Sequence, residues 1–284
     1  MSIRAGRTSA ASNATIRAAH PRPWSDGIVL ASVFQPTGNT TITASATTHT
    51  KGSWSQLVAS TGSESAGLLL FATGNSVTST ATSMLLDIGT GAAGSESVIV
   101  PDIALGGANG FRVLIPIRIP SGVRVSARCQ SAVASRTITI ATHLFSASFA
   151  DRLPTVLDSL GTSTATSAGT AMSGASGTWV EVTASTAKDY QALILVPCSD
   201  ATAGNNAVVR LTLGIGAAGS EVELAYIQNA QATTPAISDI TGNSAFSFGL
   251  AGRFIPAGTR VAVKHAIASN PDRVSACVLG VPYV

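Results

Sequence analysis

The sequence is poor in charged and aromatic residues. Charged residues make up 11% of its 284 residues and aromatic residues 5%, although about a quarter of a typical globular domain is charged. Disordered chains combine low hydrophobicity with a high net charge, whereas this chain is 45% hydrophobic with a formal net charge of +3. The composition therefore excludes disorder and predicts a packed protein. Its surface must consist largely of small residues, because Ala, Ser, Thr and Gly supply 140 of the 284 positions.

Long apolar runs are also absent. The best candidate for a membrane span, residues 111–120, is interrupted by two arginines and Pro116, whereas spanning needs about 20 consecutive apolar residues. No secretory signal peptide is expected, because Arg4 and Arg7 are followed by Ser, Ala, Asn and Thr rather than by a Leu-rich segment. These absences predict a soluble protein without a membrane anchor.

Cysteine is scarce, and metal-binding patterns are missing. Cys129, Cys198 and Cys277 are an odd number without CxxC spacing, so they do not form a complete disulfide framework. This favours a reducing compartment. Because the sequence has no HExxH motif and no EF-hand loop, and its aspartates are scattered singly, we expect no metal site.

Basic charge is concentrated at the N-terminus. Residues 1–25 contain four arginines and no acidic residue, so the pI of about 9.0 reflects mainly this segment. Two prolines stiffen the chain just before Trp24. We predict that residues 1–27 form an extended arm that orders on a partner subunit. The predicted contact residues are Arg4, Arg7, Arg17, Arg22 and Trp24. Nucleic-acid binding is not expected, because no aromatic residues are interleaved with the arginines.

The strongest signal is an internal repeat. When the chain is shifted by 125 residues, residues 52–96 match residues 177–221 at 15 of 45 positions. Both segments end with the octet Gly-x-Gly-Ala-Ala-Gly-Ser-Glu. After an insertion in the second copy, the motif Ile-Pro-x-Gly-x-Arg-Val recurs at 119–125 and 255–261. We therefore predict two homologous domains, which span residues 28–147 and 152–284 and are joined near residues 146–152.

Apolar residues in each copy occur in short runs, several of which alternate with polar residues as in half-buried strands. The strands predicted in the first copy are 54–59, 67–73, 84–88, 96–100, 111–119, 123–129 and 136–144. Those predicted in the second copy are 179–184, 191–197, 208–213, 221–227, 245–254, 260–267 and 273–281. This density of strands, separated by Gly, Pro, Asn and Ser, predicts an all-β fold. We expect two tandem antiparallel β-sandwich, jelly-roll-like domains with few helices.

The repeated octet has the G-x-G-x-x-G spacing of a dinucleotide-binding fingerprint. That fingerprint requires a helix after the glycines, whereas a strand pattern follows here, and an acidic residue beside the glycines would repel phosphate. We interpret the octet as a hairpin turn, with Glu96 and Glu221 at the start of the exposed face of the next strand. In the second motif, Pro and Gly predict a turn between Ile119 and Val123.

Catalytic signatures are missing. The sequence has no G-x-S-x-G nucleophile elbow, and its histidines are not repeated features, since His265 aligns with Cys129 of the other copy. The four histidines are His20, His49, His143 and His265. A triad assembled from distant residues stays open, but we expect a protein that is not an enzyme, without catalytic residues or a cofactor.

Two repeated residue types have alternative interpretations. Trp54 and Trp179 each open a predicted strand, which favours positions in the two cores, with sugar-binding platforms as the alternative. Arg124 and Arg260 of the second motif bind either a partner carboxylate or, as we favour, a local acidic side chain.

The chain resembles structural proteins of tailed-bacteriophage virions. The resemblance lies in the small-residue composition, the tandem β-domains and the two motifs described above, and it covers most of residues 28–284. It implies a virion part in multiple copies, such as a head decoration, collar or fibre-attachment protein, with no cofactor. It also implies a homo-oligomer in contact with other virion proteins (capsid, portal, tail or fibre), assembled in the host cytoplasm. The alternative is a carbohydrate- or surface-binding β-sandwich module.

Overall fold

The fold is built from antiparallel β-strands. The computed structural model describes residues 32–36, 38–74, 83–105, 111–146, 150–172, 176–199, 207–231, 254–267 and 274–284. Within these ranges every strand pair is antiparallel, and the helical content is one 3-10 turn at Ala150–Arg152. The prediction of an all-β fold with few helices is confirmed. Among the described residues, no helix has the length and apolarity to cross a bilayer.

The strands before the 3-10 turn form two sheets. They are β1 (Ser32–Pro36), β2 (Thr40–Thr43), β3 (Ser55–Val58), β4 (Gly67–Gly74), β5 (Met84–Thr90), β6 (Ser97–Leu105), β7 (Phe111–Ile115), β8 (Val125–Ser131) and β9 (Thr137–Ser146). Sheet A has the order β1-β9-β4-β7, with β2 also paired to β9, and sheet B has the order β3-β8-β5-β6.

The strands after the 3-10 turn form two further sheets. They are β10 (Asp158–Leu160), β11 (Thr162–Ser163), β12 (Ala168–Ala171), β13 (Val180–Thr183), β14 (Tyr190–Ser199), β15 (Ala207–Ile215), β16 (Val222–Gln231), β17 (Val261–Ile267) and β18 (Val274–Pro282). Sheet C has the order β10-β18-β12-β11, with β14 also paired to β18, and sheet D has the order β13-β17-β15-β16.

Sheets A and B pack face to face as a first sandwich. Alternation along the strands creates the apolar faces: in β9, Ile138, Ile140 and Leu144 are buried while Thr139, Ala141 and His143 are partly exposed. These side chains belong to one cluster with Leu86 and Ile88 of β5. Complete burial of such a side chain contributes about 1.5–3 kcal/mol relative to exposure, so the alternating pattern determines which sides of the two sheets meet.

Sheets C and D form a second sandwich in the same way. The inward side chains of β14 and β18, such as Leu195 and Val278, share a cluster with Leu211 and Val263 of sheet D. Tyr190 at the start of β14 is buried in this cluster, where its hydroxyl donates a hydrogen bond to Asp158 Oδ2 at 3.0 Å.

Most predicted strands are present within a few residues of their predicted ends. Strands β1, β2, β10, β11 and β12 were not predicted. The segments of β2, β11 and β12 have no apolar run, whereas β1 overlaps the mainly apolar segment 28–34 that the strand predictions left out. The predicted strand 245–254 lies outside the described residues except for Phe254, which is not in a strand. The predicted boundaries of the two homologous domains stay a prediction.

The two repeated motifs form turns, as predicted. The octet connects β5 to β6 and β15 to β16, with Gly91 and Gly216 at φ 130° and 119°. In the second motif, Gly122 and Gly258 have φ values of 76° and 83°. Residues with a Cβ rarely adopt such angles, which explains why glycine stands at these positions in both halves.

Candidate functional site

The predicted partner-binding arm, residues 1–27, lies outside the described residues. This holds for Arg4, Arg7, Arg17, Arg22 and Trp24. The candidate functional features of the described residues lie on the sheets and their connections.

The octet and the second motif are joined by a buried ion pair. Glu96, the last residue of the first octet, accepts a hydrogen bond from Arg124 Nη1, and its side chain is 1% exposed. Arg124 Nε also donates to Gln56 Oε1 at 3.1 Å. The expectation that Glu96 begins an exposed strand face is wrong, because its carboxylate neutralises an arginine beneath the turn. The favoured local partner for Arg124 is confirmed.

The second half contains the same arrangement. Arg260 Nη1 donates to Glu221 Oε1 at 2.8 Å and Arg260 Nε donates to Glu181 Oε2 at 2.8 Å, while the Glu221 side chain is 2% exposed. The exposed position expected for Glu221 is therefore also wrong. Desolvation raises the pKa of Glu96 and of Glu221. Hydrogen bonds from backbone amides and from the paired arginine, together with its charge, outweigh that effect and lower the pKa in both cases.

The two repeated tryptophans lie on the outer faces of sheets B and D rather than in the cores. Trp54 and Trp179 are half-buried. Arg128 stands 4.6 Å from the Trp54 ring centroid, and Lys264 stands 4.4 Å from that of Trp179. The predicted core position is wrong for both residues. Each indole rests on a glycine and is covered by a cation, which leaves little free ring surface for a sugar.

A cluster of four charged side chains lies beside Trp54. Lys51 Nζ contacts Asp87 Oδ1 at 2.7 Å and Asp102 Oδ1 at 2.6 Å, and Arg128 Nε contacts Asp87 Oδ2 at 2.9 Å. Asp102 has a φ of 45°, and its amide donates to Asp87 Oδ1 at 3.0 Å. The side chain of Asp87 is 4% exposed. Every charge in the cluster has an opposite partner, so the cluster holds β5, β6 and β8 together.

Edge strand β6 connects the two sandwiches. It crosses the outer face of sheet C, the side of that sheet that faces away from sheet D. Leu157 N donates to Ile99 O at 2.8 Å, Ser159 Oγ donates to Asp102 O at 2.9 Å, and Ala104 N contacts Cys277 Sγ at 3.3 Å. The outer face of sheet C consists of Ile194, Val196, Cys277, Leu279 and Val281, which share one hydrophobic cluster with the first sandwich. Strands β14 and β18 of sheet C are therefore buried on both sides.

Polar contacts add to this junction beside β6. Gln130 Nε2 donates to Ser167 Oγ at 2.9 Å and to Thr164 O at 2.6 Å, and His49 Nδ1 lies 2.9 Å from Ser167 Oγ. His49 and Ser167 both have positive φ angles, 55° and 54°. His49, one of the four histidines of the chain, therefore lies at the junction of the sandwiches with a hydroxyl group as its partner.

Edge strand β16 and the outer face of sheet A carry solvent-exposed or half-buried side chains in the described part of the chain. Val222 and Tyr226 of edge strand β16 are 49% and 53% exposed. The outer face of sheet A, which points away from sheet B, carries the exposed Arg112, whose guanidinium lies 5.4 Å from the Phe71 ring centroid. Its half-buried side chains include Leu69, Phe71, Leu114, Ala141 and His143.

An open polar cleft of about 670 Å³ lies at one end of the first sandwich. Its lining is made mainly of small residues, with Lys51 at its inner side, and Ser135 has a positive φ of 56°. The hydroxyl-bearing lining residues are Thr43, Ser45, Ser53, Ser55 and Ser135. Such a lining offers many weak donors and acceptors.

Groups with metal-binding or nucleophilic chemistry are dispersed. No cluster of three or more His, Cys, Asp or Glu side chains that could hold a metal occurs in the part of the chain that the structure describes. His265, which stands where Cys129 stands in the first half, is 1% exposed and neither ring nitrogen has a hydrogen-bond partner. Burial lowers the pKa of His265 and raises the pKa of Cys129 to about 12. Cys129 and Cys277 are both free thiols.

Comparisons with known proteins identify no family for this chain. No family model and no curated protein matches the chain. Among solved structures, the crystal structure of the STIV MCP is 9% identical, with a TM-score of 0.30 over 88% of this chain and 97% of that chain. The CBM22-1-CBM22-2 tandem domain from Paenibacillus barcinonensis Xyn10C is 9% identical, with a TM-score of 0.21 over 89% and 87% of the two chains. Likenesses this weak carry no argument about function.

Proposed function

We propose that this protein is a non-enzymatic structural component of a virus particle that assembles in multiple copies. Its N-terminal arm contacts neighbouring subunits, and its role is that of a decoration, collar or fibre-anchoring part, in keeping with the virion proteins that the sequence resembles. Other virion proteins and further copies of the chain are its partners.

The observation that carries the proposal is the fusion of the two sandwiches into one block. Domains joined by small polar interfaces move relative to one another, whereas a large apolar interface suppresses that motion. Here one hydrophobic cluster continues from the first sandwich into the outer face of sheet C. Two sandwiches that share one apolar cluster suit a part that must keep its shape in an assembly.

The placement of charge supports the same proposal. The most buried carboxylates, Asp87, Glu96 and Glu221, are each neutralised by a cation from the same sandwich. An acid–base enzyme needs carboxylates or histidines that face a substrate with a tuned pKa. In this protein these carboxylates connect strands and turns instead, which leaves a weakly charged surface that favours close packing with neighbours.

Particle incorporation tests this function. Purified particles of the virus that encodes the chain are expected to contain it in many copies, measured by quantitative mass spectrometry. A chain that lacks residues 1–27 is expected to fold but to be lost from the particles. A full-length chain with Val133→Lys, an exposed site away from the arm, is the control and should incorporate normally. Absence of the full-length chain from particles would contradict the proposed function, and normal incorporation of the truncated chain would contradict the role of the arm.

A carbohydrate-binding function is the second candidate, and the polar cleft is the observation that favours it. The hydroxyl groups of Ser45, Ser53 and Ser135 line the cleft, and sugar hydroxyls pair readily with such groups. Glycan-array binding by the full chain would support this function if Ser53→Arg, which fills the cleft, abolished binding and Val133→Lys did not. No glycan bound by the unmodified chain would rule it out.

A further inference from the structure

The junction inside the chain has two sides, an edge strand and a sheet face. The edge strand is β6, whose backbone is contacted at Ile99, Asp102 and Ala104 by residues of the second half. The face is the outer face of sheet C, formed by β14 and β18. Covering an edge strand in this way protects backbone groups that would otherwise pair with another chain.

Strand β16 occupies the place in sheet D that β6 occupies in sheet B. Both are the last strand of their sheet, and both begin directly after the repeated octet. In the strand registers, Val100 lies opposite Ile88 and Ala225 lies opposite Leu213, each in the same place relative to the octet. Yet Val100 is fully buried while Ala225 is only half-buried. Val100 belongs to the hydrophobic cluster that joins the first sandwich to sheet C, whereas Ala225 is not in the cluster of the second sandwich among the described residues.

The outer face of sheet A occupies the place that the outer face of sheet C occupies in the second sandwich. In sheet C, Ile194 lies opposite Leu279 in the β14–β18 pair. In sheet A, Leu69 lies opposite His143 in the β4–β9 pair. In both sheets, two short strands pair one after the other with the second edge of the central strand. In sheet A, β1 and β2 pair with β9. In sheet C, β10 and β12 pair with β18. Among the described residues, edge strand β16 and the outer face of sheet A therefore lack the contact that β6 makes with sheet C.

We infer that copies of this chain associate head to tail, with edge strand β16 of one copy packed on the outer face of sheet A of the next. This inference rests on the proposed function as a multi-copy structural part. The contact continues between chains the arrangement that β6 and sheet C make within one chain. The occupant of each surface is thus a second copy of this chain.

Both surfaces carry an aromatic side chain beside an arginine. Tyr226 is half-exposed, and the Arg210 guanidinium lies 4.2 Å from its ring centroid, a pairing common at protein interfaces. On the receiving face, Phe71 and His143 form an edge-to-face pair at 5.2 Å, and the exposed Arg112 lies 5.4 Å from the Phe71 ring centroid. A head-to-tail contact uses different patches on the two partners, so it closes into a ring or extends as a filament rather than stopping at a dimer.

Cysteine cross-linking between two differently labelled chains tests this geometry. One chain carries Tyr226→Cys and the other carries His143→Cys, each full length and in a Cys198→Ser background, because Cys129 and Cys277 are buried. After mixing and mild oxidation, we expect the mixed disulfide dimer to form in excess over both homodimers. Val133→Cys, at an exposed site on neither surface, replaces either partner as the control and should give no mixed dimer.

The outcomes separate the alternatives. Predominant Tyr226→Cys or His143→Cys homodimers would indicate a two-fold symmetric contact and overturn the inference. No cross-link at high protein concentration would overturn it as well, even if the chain is present in purified particles and the proposed function stands. If the chain is absent from particles but forms the mixed dimer, the head-to-tail contact stands and the virion role fails.

Sedimentation velocity gives a second, independent measurement. Tyr226→Lys should raise the dissociation constant for self-association by about tenfold or more, the effect of removing an interface anchor, while circular dichroism and thermal unfolding stay unchanged. Val133→Lys is the matched control and should leave the constant unaltered. Unaltered self-association of the Tyr226→Lys chain would contradict the inference.

Discussion

The indole of Trp54 lies directly on Gly89 of β5. A Cβ atom added at Gly89 would stand 2.6 Å from Trp54 Cη2, and one added at Gly214 would stand 2.5 Å from Trp179 Cη2. These are the first glycines of the two octets. Their recurrence in both halves of the chain thus has a packing reason: each indole lies on the sheet surface, where only a residue without a side chain leaves room for it.

Gly89→Ala is expected to lower the free energy of unfolding by about 1–3 kcal/mol, the usual effect of overpacking. The new methyl group would displace the Trp54 ring and also approach Ser97 O at 3.0 Å. Denaturant unfolding monitored by tryptophan fluorescence measures the change.

Gly38→Ala is the matched control, because Gly38 is exposed and no atom lies within 4 Å of its added Cβ. Its effect should stay within about 0.5 kcal/mol. In a Trp54→Ala background, Gly89→Ala should cost less than in the unmodified chain. Equal costs in both backgrounds would show that the tryptophan is not the cause.

The Glu96–Arg124 pair predicts a dependence of stability on pH. The folded-state pKa of Glu96 lies below its ordinary value of 4.5, so the unfolded chain binds the proton more tightly. The pair therefore stabilises the fold above about pH 4.5, and this contribution is lost as the pH falls through the folded-state pKa. Glu96→Gln should lower the melting temperature at pH 7 and flatten the acid limb of the stability curve.

Glu64→Gln provides the comparison for Glu96→Gln. Glu64 pairs with Arg118 at 2.8 Å, but both side chains are 39% exposed, and exposed pairs contribute at most about 1 kcal/mol. Its melting temperature should change much less. Equal losses for the two variants would contradict the structural role assigned to the buried pair.

His265 predicts a second loss of stability on acidification. Burial lowers its pKa below the ordinary 6.5, so the folded state prefers the neutral ring. Stability is complete above about pH 6.5 and decreases as the pH falls toward the folded-state pKa, because protonation favours the unfolded chain. His265→Cys, which introduces the residue found at position 129 in the other half, should remove this decrease in urea-unfolding midpoints between pH 7 and pH 5.

Val133→Ala is the control for that titration, since Val133 is exposed and carries no titratable group. This variant should keep the pH dependence of the unmodified chain. An unchanged profile in His265→Cys, or the same flattening in Val133→Ala, would refute the assignment.

The buried thiols predict slow alkylation. Burial raises the pKa of Cys129 to about 12, and the thiolate is the reactive form. At pH 8, iodoacetamide should leave Cys129 and Cys277 unmodified in the folded protein and modify both in urea, as mapped by peptide mass spectrometry. Rapid modification of Cys129 in the native chain would show that the first sandwich opens readily.

Much of the fold was predictable because it depends on local patterns. The alternation in Thr137–Ser146 and the glycines of the two turns act over a few residues, so the strands and hairpins could be predicted from the sequence. Strands β10 to β12 were not predicted, because residues such as Thr162 and Gly169 become strands only by pairing with β18 or with each other.

The candidate sites were harder to predict. The sequence indicated that Glu96, Arg124 and Trp54 recur in the second half, but the patterns favoured an exposed face for Glu96 and the core for Trp54. One signal was available: an acidic and a basic residue that recur together, in two motifs that both form turns, are candidates for an ion pair.

By itself, the sequence determined the all-β character of the chain, the turns at the repeated glycines and the concentration of basic charge before residue 26. These properties follow from composition and from interactions between near neighbours. Only the tertiary structure decided that β14 and β18 are buried on both sides, that Glu96 and Glu221 are covered, and that Val222 and Tyr226 of β16 are exposed. Burial depends on which surfaces meet across long separations in the chain, and two segments with the same motif can therefore have different surroundings.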